Sequence, residues 1–211
     1  TQTPASDYKV RVKGVNPGDP QDESNEYFTI IEPQPIPDIV INEIMYNPST
    51  SLGNDDDYEY LELYNNSGFD VDMSNWYFSQ GIEFTFPAGT VFTDGTYMVI
   101  AKNADTIQQY YGITGVLQWI SGNLGNSGET VELNYFDGSS MDIVPYDDEA
   151  PWPTEADGTG PSLELLDVTL DNSLAENWAA SIVDNGTPGA VNSVVGAEVL
   201  TVTYPNGGET I

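Results

Sequence analysis

The constraint that weighs most on this chain is its rhythm. Apolar residues alternate with period two in short runs, and Gly, Pro, Asn or Asp break each run within about ten residues, a pattern of many short strands. Along 38–46, Ile39, Ile41 and Met45 alternate with Val40, Asn42 and Ile44; along 57–65, Leu61 and Leu63 take one face and Tyr58, Tyr60 and Tyr64 the other. The runs 83–86, 96–101, 130–136 and 141–144 follow the same rule. Between the last two, Asp137-Gly138 suits a tight hairpin turn because both residues tolerate positive φ. One helical signal interrupts the strands: Asp105 is placed to cap a helix over 105–111, and Gly112 to end it. With 20 Gly and 14 Pro along 211 residues, the spacing predicts an all-β, immunoglobulin-like β-sandwich with one short helix.

Composition narrows the chemistry. Asp and Glu number 34 against 4 Lys plus Arg, a formal charge of −30. Such a surface cannot neutralise phosphates, which excludes nucleic acid as a partner and docking on an anionic membrane. Nor does any run approach the roughly 20 apolar residues that membrane insertion requires. Hydrophobic residues make up 39% of the chain, enough for a sizeable core rather than a disordered acidic tract. Histidine and cysteine are both absent. Their absence removes Ser-His-Asp triads, imidazole acid-base and metal chemistry, disulfides, thiolate zinc sites and thiol nucleophiles. Paired carboxylates remain as a route to hydrolysis, but among 34 acids chance pairs carry no information, and no enzyme is expected.

Three of the four cations, Lys9, Arg11 and Lys13, lie near the start, and only Lys102 follows. This uneven distribution marks a boundary. Residues 32–37, Glu-Pro-Gln-Pro-Ile-Pro, read as a stiff linker, and 194–197 as a hinge within the small-residue stretch 192–196. Between them, 38–193 suits one domain with one core. The outer stretches 1–31 and 198–211 are too short to fold alone.

The central stretch resembles the lamin tail domain, in the form found in secreted and surface proteins of bacteria. The residues that carry the resemblance begin with Ile41-Asn42-Glu43-Ile44-Met45-Tyr46-Asn47-Pro48, Glu59-Tyr60-Leu61-Glu62-Leu63-Tyr64-Asn65, Val71-Asp72-Met73-Ser74-Asn75-Trp76 and Phe86-Pro87-Ala88-Gly89-Thr90. They continue with Trp152-Pro153, Gly160-Pro161-Ser162-Leu163-Glu164-Leu165, Asn177-Trp178-Ala179-Ala180-Ser181 and Gly186-Thr187-Pro188-Gly189-Ala190-Val191-Asn192. The flanks 8–12, 22–30 and 202–209 are similar to the last and first strands of immunoglobulin-like modules related to yeast cell-wall synthesis proteins. The resemblance implies a sandwich with a binding or scaffolding role, an extracellular or cell-surface location and no catalytic residues. Neighbouring modules of the same protein, or like chains, are then the expected partners.

Several residues stand out for binding. The acidic loops 54–59 and 146–149 place Asp55, Asp56, Asp57 and Glu59, and Asp147, Asp148 and Glu149, beside predicted strand ends, where like charges repel unless solvated or bridged. Calcium, which takes six to eight oxygens and tolerates irregular loops, is the expected ion, although neither loop has EF-hand spacing. A solvated acidic surface is the alternative. Trp119 and Trp152 lie in Gly- and Pro-rich surroundings and are the candidates for stacking on a glycan, the mark of a carbohydrate-binding accessory module. Glu43 and Glu62 sit inside strands with no cation in reach by sequence. Each must therefore face solvent, accept hydrogen bonds from loop N–H groups, or bind an ion.

Overall fold

The computed structural model describes residues 5–16, 18–30 and 35–196, and the chain divides into two compact units, 1–36 and 37–211. The expectations for 1–4, 31–34 and 197–211 lie outside the described residues. In the first unit, β1 (Ala5–Tyr8) pairs antiparallel with β4 (Phe28–Ile30), and β2 (Arg11–Lys13) with β3 (Gln21–Glu23). Arg11 forms an ion pair with Glu23, Lys9 sits 4.8 Å from the centre of the Tyr27 ring, and none of the described side chains is buried.

The second unit is a sandwich. Its strands run β5 (Ile39–Met45), β6 (Tyr60–Asn65), β7 (Val71–Asp72), β8 (Tyr77–Gln80), β9 (Phe84–Thr85), β10 (Val91–Phe92) and β11 (Tyr97–Ala101). After helix α1 (Ala104–Tyr111) come β12 (Leu117–Gln118), β13 (Glu129–Asn134), β14 (Ser140–Tyr146), β15 (Leu163–Leu165) and β16 (Trp178–Ala180). One sheet has the order β12-β11-β6-β5-β15-β16, and the other β14-β13-β8-β9, with β10 and β7 as a separate pair. The helix begins one residue earlier than the sequence predicts. Its cap is Asn103, whose side chain accepts from the Thr106 N–H at 3.2 Å, rather than Asp105; Gly112 ends it with φ +70° as expected.

The core lies between the two sheets. Ile41, Ile44, Leu61, Leu63, Ile100, Leu163 and Leu165 of the six-stranded sheet pack with Phe78, Val131, Leu133 and Val144 of the other, and with Trp76 and Phe86. Asp142 on β14 ties the layers together by accepting from the Ile41 N–H at 2.6 Å and from Asn172 Nδ2 at 2.8 Å.

In a sandwich with one wet face, β5 would alternate buried and exposed residues. Instead every residue from Ile39 to Met45 is buried. The pairing of β5 with β6 also slips between Ile41 and Glu43, which puts Ile41 in the inter-sheet core and Glu43 on the outer face with Met45. That outer face is covered: Met45, Tyr60, Val99 and Ala101 pack there with Ile107 of α1, flanked by Tyr111 and Ile113. The loop 185–194 covers the rest of it.

Burial of this depth makes the central strands intolerant of truncation. Leu61→Ala is expected to lower the unfolding free energy by about 2–5 kcal/mol, against roughly 0.5 kcal/mol or less for Ile120→Ala at a position 74% exposed. Urea denaturation of both variants measures the contrast.

Candidate functional site

Strand order brings three glutamates into one row. β6, β5 and β15 are neighbours, and their registers set Glu62 opposite Glu43 and Glu43 opposite Glu164. Residues opposed across antiparallel strands have Cβ atoms about 4.5–5.5 Å apart, so like charges there repel. All three glutamates are 0% exposed. The one cation after residue 13, Lys102, is engaged elsewhere, donating from Nζ to the Gly122 carbonyl and Asn123 Oδ1.

What compensates them is a strap, residues 185–194, laid across the row. Glu43 Oε1 accepts from the Tyr60 hydroxyl (2.6 Å), the Ser162 hydroxyl (2.6 Å) and the Thr187 N–H (2.9 Å). Glu62 accepts from Asn42 Nδ2 (2.9 Å) on Oε1 and from the Gly189 N–H on Oε2. Glu164 accepts from the Thr187 hydroxyl (2.8 Å) on Oε1, and from the Ser193 hydroxyl (2.7 Å) and Val194 N–H (3.1 Å) on Oε2. Asn192, itself buried, donates to the carbonyls of Asn42 (3.0 Å) and Leu165 (2.9 Å). The strap is also pinned to the helix: Tyr111 donates its hydroxyl to the Asn185 carbonyl, and Asn185 Nδ2 donates to the Tyr110 hydroxyl at 3.0 Å.

Sequence dictates this closure locally. Gly186 has φ +81°, and a Cβ on it would overlap Glu43 Oε1, the Tyr60 hydroxyl and Ser162 Oγ. Only glycine lets the strap backbone approach the carboxylates so closely. Asn185, at φ +70°, is one of the few other residue types that enter this region readily. The expected hinge at 194–197 therefore begins as part of the strap, because Val194 is buried and its N–H is held by Glu164.

Burial dominates the electrostatics. It pushes Glu43 up to about 7 against the pull of its Ser162 and Tyr60 hydrogen bonds, and the charge on Glu164 adds to the rise. Burial and then repulsion from Glu43 raise Glu62 well above the usual carboxylate range. The same causes push the Tyr60 phenol further up. Glu43 and Glu62 thus take the loop N–H option among those the sequence leaves open, and neither faces solvent. Glu164, the third member, is not singled out by sequence because its role arises from pairing with a strand more than a hundred residues away; Ser162 and the Gly-Thr-Pro-Gly turn were legible only as matches to a family pattern.

The predicted ion ligands lie apart from this row. Asp55, Asp56 and Asp57 fall in a 3-10 turn, Asp55–Tyr58. Asp57 accepts from Asn54 (3.1 Å) and from Asn103 (3.1 Å), linking that turn to the start of α1. Glu59 is buried and accepts from the Leu124 N–H at 2.9 Å. Asp147 accepts from the Glu149 N–H at 2.9 Å in a local turn, with Asp148 beside them. Among the described residues, no three acidic side chains converge closely enough to hold a metal ion.

The tryptophan candidates are corrected by the structure. Trp119 is 2% exposed and donates its indole N–H to the Gly122 carbonyl at 3.1 Å; Trp152 is 7% exposed and packs 6.0 Å from Trp178. Neither ring offers a face to a sugar, because the sandwich core takes up both.

The strap's dependence on glycine gives a sharp expectation. Gly186→Ala is expected to cost about 2–4 kcal/mol through positive φ plus overlap with the carboxylate row. Gly112→Ala, at φ +70° with open space around its Cβ, is expected to cost about 1 kcal/mol. Parallel denaturant melts separate the two.

Among the described residues no helix is long and apolar enough to cross a membrane. No match was found among curated proteins. A family model described as the Lamin Tail Domain matches residues 32–148, more than half of the chain. The match takes in β5 to β14, with Glu43 and Glu62, and stops before the third glutamate and the strap. Together with the two-sheet sandwich, it establishes that this chain belongs to the lamin tail domain family, a non-catalytic, immunoglobulin-like fold.

Proposed function

We propose that the chain serves as a structural, adhesion or assembly module of a larger extracellular or cell-surface protein of bacterial type, joined to immunoglobulin-like modules through its flanks. One observation carries this reading. The residues that the composition leaves able to do chemistry, the buried carboxylates, are consumed in holding the strap to the sheet rather than aimed into a substrate cleft. The linker and the flanking stretches similar to immunoglobulin-like modules support the setting in a longer protein. The acidic surface favours cationic partners and disfavours nucleic acid.

The purified protein is expected to turn over no polysaccharide; turnover that is lost in Glu43→Gln or Glu62→Gln overturns the reading. Calcium stabilisation belongs to the same proposal, with the loops 54–59 and 146–149 closing on the ion. The melting midpoint is then expected to rise at millimolar calcium and to return with a chelator, and a midpoint that does not move removes calcium from the account.

A carbohydrate-binding accessory role has one supporting observation. Tyr58 and the exposed Tyr110, with ring centres 5.4 Å apart and edge to face, line a shallow cleft with Thr106 and Gln109. Retention on a glycan array that is lost in Tyr110→Ala favours this second reading.

A further inference from the structure

We propose that the glutamate row is a proton-operated latch: a proton held by the facing pair Glu43 and Glu62 keeps the strap 185–194 closed, and its loss releases the strap.

The geometry of the row calls for a proton, because three buried carboxyls face one another across neighbouring strands. Glu62 and Glu164 each accept on both oxygens. Glu43 does not. Its Oε1 takes three donors, while Oε2 is buried and finds no hydrogen-bond partner among the described residues. No donor among the described residues reaches Oε2 to stabilise a charge there, and although the three bonds to Oε1 favour the ionised form, burial beside two facing carboxyls outweighs them. Glu43 is also the one member with a carboxylate opposite it on both sides, so a proton there relieves two repulsions at once. The rise of its titration toward neutrality agrees with this position.

Glu62, raised as Glu43 is, titrates with it as a pair, and among the described residues no group outside the row substitutes for the proton. The strap carries no titratable side chain from Asn185 to Val194, and β16 carries none. The groups facing the row from β6, β11 and α1 are Tyr60, Tyr97 and Tyr111, phenols that burial raises further and keeps neutral. Asp142, raised to about 6, bonds the Ile41 N–H and acts between the sheets rather than at the strap.

The sign of the effect follows. Glu43 titrates higher when folded than the roughly 4.3 of an unfolded glutamate, so its contribution is complete below about that pH and is lost as pH rises through about 7. Once the proton leaves, three charges face each other in a dry row, and the cheapest relief is to admit water by lifting the strap.

Hydrogen exchange of the whole chain, corrected for intrinsic rates and read at the Thr187, Gly189 and Val194 amides, tests this between pH 5.5 and 8.5. The opening constant of these amides is expected to climb by up to tenfold per pH unit above about 7, while the Leu133 amide in the other sheet stays protected. Glu43→Gln, neutral at every pH, is expected to flatten the dependence. Glu62→Gln, which removes one of the two facing charges, is expected to reduce it. A flat profile in the unaltered protein overturns the latch, as does an undiminished pH dependence in either variant.

Discussion

Three carboxyl groups face one another inside this domain with no cation beside them, and much of the outer architecture answers that one constraint. An isolated buried charge costs far more than a domain's net stability, so each oxygen must find a donor or a proton. The chain supplies donors from short polar side chains and from backbone N–H groups on a loop that would otherwise be an ordinary C-terminal connection. The loop becomes a strap, and the strap becomes the roof of the sheet.

This arrangement explains why an acidic protein can bury so much of its central sheet. One face of β5, β6 and β15 is conventional sandwich core, with Leu61, Leu63, Leu163 and Leu165 against the four-stranded sheet. The other is split between an apolar patch under α1 and the polar row under the strap. The two halves are joined where Tyr60 donates to Glu43 and Tyr111 to the Asn185 carbonyl. Packing of the helix and closure of the strap are therefore coupled, and loosening either one exposes the other's edge.

Much of the sandwich was legible in the chain. Period-two runs placed β5, β6, β11, β13 and β14, because one face of each meets a core and alternation follows from the pleat. The helix ended at Gly112 as expected, for a local reason. What local patterning could not carry was anything set by distant pairing. The slip between Ile41 and Glu43 moves Glu43 to the outer face, and no residue at that point announces it. Glu164 looked like the polar member of an alternating strand until β15 paired with β5. Trp119 and Trp152 sit among glycines and prolines, which in sequence mark surface loops, yet both loops fold inward to fill the core. Glu43 and Glu62 could be flagged because charge within a strand is costly; their partners could not, since the strap lies more than a hundred residues away.

A proton held in the glutamate row is central to the latch, and ionisation at Glu43 can be observed directly. A carbon-13 NMR titration of the Glu43 side-chain carboxyl in the intact protein is the measurement to make. A midpoint near 7, with the Thr187 amide responding in the same transition, is the predicted result. A midpoint near the roughly 4.3 of a solvated glutamate would contradict it.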